Sequence, residues 1–108
     1  MYKLGVYVPE SHLDVVKQAL FDAGAGSIGD YAQCCWQTLG VGQFCPASAA
    51  NPFIGQPGQL EQVDEYRIEL VMTADCARRV VAALRSSHPY EEPAFDLVKL
   101  VAEDELPD

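Results

Sequence analysis

Residues 66–72 read YRIELVM, and this stretch decides the fold. Its apolar side chains alternate with Arg67 and Glu69, which is the period-two pattern of a strand with one buried face. A helical pattern follows over residues 77–85, where apolar side chains recur on one face and arginines occupy the other. The two segments together predict a strand that leads directly into an amphipathic helix.

The same unit occurs at the start of the chain. Residues 2–8 alternate as a strand, and apolar residues recur at helical spacing over 11–23. Further strands are predicted at 31–41 and 94–101, and a long loop rich in Gly, Pro, Gln and Ala at 42–62. The order β-α-β-β-α-β predicts an α+β, ferredoxin-like sandwich, with two helices on one face of a four-stranded antiparallel sheet.

Length and charge restrict the class of protein. The 108 residues suffice for one small domain, predicted at 1–102, with an acidic C-terminal tail at 103–108. The net charge of −9 argues against nucleic acid and anionic membranes as partners. No apolar run approaches the ~20 residues of a membrane span, and no signal peptide is evident. We therefore expect a cytoplasmic protein.

The sheet face opposite the helices is predicted to carry apolar side chains. Tyr7, Trp36 and Val71 fall on it, and the 42–62 loop adds further aromatic residues. So much apolar surface is unusual in a free monomer. The sequence therefore predicts a homo-oligomer, a dimer or a trimer, and leaves room for another protein as partner.

Residues 24–29 satisfy the glycine pattern of a dinucleotide-binding loop. That loop must follow a strand and open a helix, so that the helix N-terminus meets the pyrophosphate. Here a predicted helix precedes the glycines and a strand follows them. We interpret the stretch as a helix-to-strand connection that needs the conformational freedom of glycine.

The chain has four cysteines without Cys-x-x-Cys spacing: Cys34, Cys35, Cys45 and Cys76. In a reducing compartment the simplest prediction is four free thiols that pack as small apolar groups. Cys34 and Cys45 are also possible ligands of a metal ion, should the fold bring either of them near His88.

The segment His88–Pro93, HPYEEP, carries the most chemistry. Two prolines restrict its backbone, and His88, Glu91 and Glu92 are ligand types for zinc, copper or manganese. Tyr90 is a candidate ligand-contacting or turn-shaping residue. A structural alternative stays open, in which a protonated His88 ends the second helix favourably and the remaining residues only shape the turn.

Two functions therefore compete. The first is a non-enzymatic domain that binds a divalent metal ion or small ligand at this segment. The second is an interaction module that docks on a partner through its sheet face and long loop. We expect no enzyme and assign no catalytic residues, because no nucleophile, base and orienting group can be placed from spacing.

Several blocks of the sequence resemble the small inserted domain of the Nif-three-like (YqfO-type) proteins, which is itself similar to CutA and PII. These blocks are 5–9, 19–31, 40–44, 50–55, 65–69 and 88–96. The resemblance implies a stand-alone CutA/PII-like domain. It also implies that the two flanking halves holding the dimetal centre are absent, so their hydrolase or cyclohydrolase activity is not carried over. CutA similarity suggests divalent metals and a trimer, and PII similarity suggests small ligands in clefts between subunits.

Overall fold

The computed structural model describes residues 1–108 and contains four strands and two α-helices. The elements run β1 (Tyr2–Pro9), α1 (Leu13–Asp22), β2 (Trp36–Phe44), β3 (Glu61–Met72), α2 (Ala77–Ser87) and β4 (Phe95–Lys99). Short 3-10 turns lie at Glu10–His12 and at Glu103–Glu105 in the exposed acidic tail. The predicted β-α-β-β-α-β order is confirmed.

The strands form one sheet in the order β2-β3-β1-β4, and every neighbouring pair is antiparallel. In the centre, Val6 of β1 lies opposite Ile68 of β3 and Phe95 of β4. Both helices pack on the face to which these side chains point. This is the ferredoxin-like sandwich, so the predicted fold class is confirmed.

The core lies between the sheet and the two helices and contains thirteen buried residues. Its fully buried side chains are Leu4, Val6, Val8, Val16, Leu20, Ile68, Val80 and Leu84. Each such side chain contributes about 1.5–3 kcal/mol when it leaves water. The alternation in β1 and β3 and the apolar faces of α1 and α2 therefore account for the packing of the two layers.

Strand β2 differs from its predicted bounds, since it begins at Trp36 and extends to Phe44. The long loop is accordingly 45–60. The sequence predicts that the loop begins at Gly42, because residues 42–62 are rich in Gly, Pro, Gln and Ala. In the structure Gly42 pairs with Val63, and a Cβ at this position would overlap the side chain of Glu65. The glycine thus makes room for a neighbouring carboxylate.

The sheet face opposite the helices, which we call the open face, carries Tyr7, Trp36 and Val71, as the strand alternation predicts. Its centre is charged. The guanidinium of Arg67 donates to Glu69 (Nε to Oε1, 3.1 Å) and to Asp96 (Nη2 to Oδ1, 3.2 Å) and lies 5.0 Å from the Tyr7 ring centroid. The hydrogen bond to Asp96 raises the pKa of Arg67. A charge network therefore interrupts the apolar surface.

The β2–β3 hairpin projects beyond the helical layer. The molecule measures 52 × 30 × 24 Å, and its Cα radius of gyration of 15.5 Å exceeds the ~13 Å typical of 100 residues. Leu39 and Val41, on the helix side of β2, are consequently 56% and 69% exposed. No helix of the chain is both long and apolar enough to cross a bilayer.

Candidate functional site

A cavity of about 330 Å³ lies where the long loop, the HPYEEP segment and the open face meet. Tyr7 of β1 and Glu65 of β3 line it from the sheet, and Tyr90 lines it from the segment after α2. Its volume is at the lower end of the range for small-molecule sites. We call it the corner cavity.

His88 lies behind this cavity and is only 6% exposed. Its Nε2 is 2.7 Å from the carbonyl oxygen of Tyr7, and its Nδ1 accepts a hydrogen bond from the backbone N–H of Tyr90 at 3.1 Å. Because Nδ1 is the acceptor, the proton of the neutral ring sits on Nε2 and is donated to Tyr7. Burial lowers the pKa of His88 below its ordinary value of 6.5. A neutral imidazole thus joins β1 to the corner, and these contacts do not fit the alternative in which a protonated His88 ends the second helix.

Tyr90 and Glu65 form the next contact. The phenol of Tyr90 donates to Oε2 of Glu65 at 2.8 Å. Burial, together with this hydrogen bond, strongly raises the pKa of Tyr90, so the phenol keeps its proton. The other carboxylate oxygen of Glu65 lies beside Gly42, in the space that a Cβ there would occupy. Glu65 is therefore positioned from two sides.

The end of β2 and the long loop cover this arrangement with aromatic side chains. The rings of Phe44 and Phe53 lie 6.3 and 6.4 Å from Tyr90, and Phe53 also makes an edge contact with His12 at 5.3 Å. The backbone N–H of Asn51 donates to Oε1 of Glu91 at 3.3 Å. These contacts fold the 45–60 loop onto the corner, and we infer that they shape the cavity wall.

The predicted site residues are only partly brought together. Cys45, Tyr90, Glu91 and Glu92 line the corner cavity. His88 supports it from behind, with both ring nitrogens already hydrogen-bonded.

Cys34 lies elsewhere, in the α1–β2 connection, where its amide donates to Gly26. No three His, Cys, Asp or Glu side chains of the chain are arranged to hold a metal ion, and the cysteines are all free. The donor set of this chain therefore does not fit a metal ion, and the metal site stays a prediction.

Sequence reasoning did not identify Glu65, Tyr7, Phe44 of β2 or Phe53 of the long loop as site residues. The strand alternation does indicate which sheet face carries Glu65 and Tyr7. Tyr66 and Ile68 belong to the buried face of β3, so Glu65 must point to the open face, as Tyr7 does in β1. Glu65 and Tyr7 share the cavity with Phe44 and Phe53 only because of how the long loop folds. The sequence of that loop has no periodic pattern from which its fold could be predicted.

A second, polar cavity of about 440 Å³ adjoins the first along the open face. The two share Tyr7, Gln43, Glu65 and Ala94. Arg67 lines only the second cavity, and its Nη1 is buried there without a hydrogen-bond partner. The cation of the open face is thus separated from the corner cavity by Tyr7 and Glu65.

The chain is similar in sequence to curated proteins of greater length. It is 50% identical over 105 residues to the GTP cyclohydrolase 1 type 2 homolog of Halalkalibacterium halodurans, a match that covers 97% of this chain and 28% of that protein. The chain thus spans about a quarter of the length of the curated relatives it matches. No family model matches it.

Solved structures give the same picture. A Bacillus cereus protein related to NIF3 superposes with a TM-score of 0.79 at 42% identity, over 92% of this chain and 25% of that one. The PII-like protein CutA from Nostoc superposes with a TM-score of 0.65 at 13% identity, over 93% of this chain and 81% of that one, which shows the fold alone. The chain is therefore similar in sequence and structure to one domain of the Nif-three-like proteins, and this domain has the CutA/PII-like fold.

Proposed function

We propose that this chain is a non-enzymatic binding domain and that its ligand is a small molecule held in the corner cavity. The observation that carries the proposal is the convergence of β1, β2, β3, the long loop and HPYEEP on one concave and largely apolar site. His88 and Tyr90 fix the geometry of that site through hydrogen bonds. Such preorganisation lowers the entropy cost of binding a ligand.

A small molecule is favoured over a zinc, copper or manganese ion. His88 offers no free nitrogen, and the other ligand types in the cavity, Cys45, Glu65, Glu91 and Glu92, form no three-ligand group. A metal would need further ligands from another subunit or from solvent. We retain divalent metals as probes, since the acidic chain attracts cations in general.

A role in binding also fits better than catalysis. The cavity lining includes one thiol, Cys45, and no histidine that could act as its base. The relatives named GTP cyclohydrolase 1 type 2 homolog extend well beyond the region that this chain matches. We therefore propose that any activity of the longer proteins lies outside the corner cavity.

Filling the cavity should abolish ligand binding. Ala94 is exposed and lines the cavity, so Ala94→Trp is expected to occupy it without disturbing the core. The measurement is the unfolding midpoint in the presence of a small-molecule library and of zinc, copper and manganese salts. Compounds that stabilise the natural protein should lose their effect in Ala94→Trp but keep it in Ala102→Trp, an exposed control position. Equal stabilisation of both variants would contradict the proposed site.

A second candidate function is self-association or docking through the open face and β2. Trp36 is 57% exposed on this strand, and β2 is an edge strand with one unpaired side. Exposed aromatic residues beside an unpaired edge are common at protein interfaces. We propose a second copy of the chain as the first partner to test.

Replacing Trp36 should weaken that association. The Trp36→Gln variant removes a large apolar surface and leaves the charge unchanged, so the fraction of oligomer at micromolar concentration is expected to fall at least about tenfold. Sedimentation velocity over a concentration series gives the measurement. Val15→Gln, at an exposed apolar position on α1, is the matched control. Association that persists in Trp36→Gln would place the interface elsewhere, and a monomer at all concentrations would exclude self-association.

A further inference from the structure

We infer that the corner cavity selects a small organic cation, a deduction that rests on the proposed binding function. The charges of its lining are all of one sign. Glu65, Glu91 and Glu92 line the cavity, and no lysine or arginine does. Arg67 lines only the adjoining cavity, where Glu69 and Asp96 hold its Nε and Nη2 while its Nη1 has no hydrogen-bond partner.

Glu65 is the group best placed to meet such a cation. Its side chain is partly buried and makes no salt bridge with any basic residue of the chain. The Tyr90 phenol satisfies Oε2, which leaves Oε1 as the free acceptor. A cation bound in the cavity would supply the counter-charge that this carboxylate lacks within the chain. The hydrogen bond and the missing Cβ at Gly42 keep Glu65 in this position.

The cavity walls add a second preference. Tyr7, Phe44, Phe53 and Tyr90 contribute aromatic rings to its lining. Ring faces attract ammonium and methylated ammonium groups, and carboxylates beside the rings strengthen the attraction. Tyr7 already illustrates this chemistry, because it holds the Arg67 guanidinium 5.0 Å from its centroid in the adjoining cavity. An amine with an apolar body fits both the rings and the carboxylates.

The same features exclude anionic ligands. A nucleotide, a phosphate or a carboxylic acid would approach three carboxylates within a chain of net charge −9, without a basic side chain to receive it. A bare metal ion is also disfavoured, since most of the lining is apolar and no three ligands converge. An organic cation can pack its apolar part against the aromatic rings and place its charge beside the carboxylates.

The test compares three probes by NMR on the ¹⁵N-labelled full chain at constant salt. Choline is the cation, 3,3-dimethylbutan-1-ol is its uncharged isostere, and adenosine monophosphate is the anion. We expect amide shifts at residues 44–54 and 90–92 with choline, and an affinity at least about tenfold above that of the alcohol. Adenosine monophosphate should leave these amides unshifted.

A charge-only variant sharpens the test. Glu65→Gln retains an oxygen for the Tyr90 phenol and removes the negative charge, so the preference for choline over the alcohol should fall to near unity. Glu103→Gln carries the same change in net charge in the exposed tail and should keep the preference.

The outcomes separate the two proposals. If the alcohol or adenosine monophosphate binds the same residues as tightly as choline, the cation inference is wrong and the binding site stands. If no probe of any charge shifts these residues, the corner cavity is not a ligand site and both proposals fail. A preference that survives in Glu65→Gln would remove Glu65 from the role assigned to it.

Discussion

Replacing His88 with alanine is expected to lower the free energy of unfolding by about 2–4 kcal/mol. The imidazole is 6% exposed and hydrogen-bonded at both nitrogens. Its removal leaves the Tyr7 carbonyl and the Tyr90 N–H without these partners and opens a void beneath the corner. Urea unfolding followed by circular dichroism measures the loss as a shift of the midpoint at constant slope.

His12 provides the matched control for this substitution. It is less buried, and its Nδ1 lies 2.8 Å from the hydroxyl of the adjacent Ser11. Its contact with Phe53 is an edge contact at the surface of the long loop. We therefore expect His12→Ala to cost less than about 1 kcal/mol. Similar losses for the two variants would show that the corner does not depend on His88.

The hydrogen bonds of His88 stabilise the fold and also position residues that line the corner cavity. The imidazole holds the backbone of Tyr90, and Tyr90 in turn holds the carboxylate of Glu65. Loss of the ring therefore loosens two lining residues without removing either. A functional effect of His88→Ala on ligand binding is consistent with this positioning role and does not make His88 a ligand.

The layers of the fold were predictable because their signal is local. Alternation in residues 66–72 fixes which side chains of β3 face the helices, and the same rule in β1 puts Tyr7 on the open face. The helical pattern of 77–85 has apolar side chains on one face only, so this helix packs against one face of the sheet. Element order and the handedness of crossovers leave few other arrangements.

The site was less predictable because its contacts are long-range. His88 bonds to Tyr7, 81 residues away in sequence, and Tyr90 bonds to Glu65, 25 residues away. A local pattern contains neither pairing. The HPYEEP segment stays a predicted site, and the sequence alone left His88 either as a metal ligand or as a protonated residue at the helix end. In the structure the ring is neutral and internal.

The glycine-rich stretch that follows α1 is a structural connection, as its context predicts. Gly24, Gly26 and Gly29 all have positive φ angles. The stretch follows a helix and leads into the connection to β2, so it lacks the strand before and the helix after that a dinucleotide loop requires. Gly26 is held on both sides, since its N–H donates to Val71 and its carbonyl accepts from Cys34, each at 2.8 Å.

Substitution of Gly26 by alanine is accordingly expected to cost about 2–4 kcal/mol in the free energy of unfolding. Its φ of 86° disfavours any L side chain, and the added Cβ would lie 2.9 Å from the Cys34 carbonyl oxygen and 3.0 Å from the Phe21 ring. The two backbone hydrogen bonds prevent the chain from moving aside. Gly29→Ala is the matched control. Its φ is 55°, and an added Cβ would have no atom within 4 Å apart from its chain neighbours. Only the cost of a left-handed backbone conformation, about 1 kcal/mol, therefore applies. Equal midpoints for the two variants in urea would show that the connection yields at Gly26 and does not fix the path from α1 to β2.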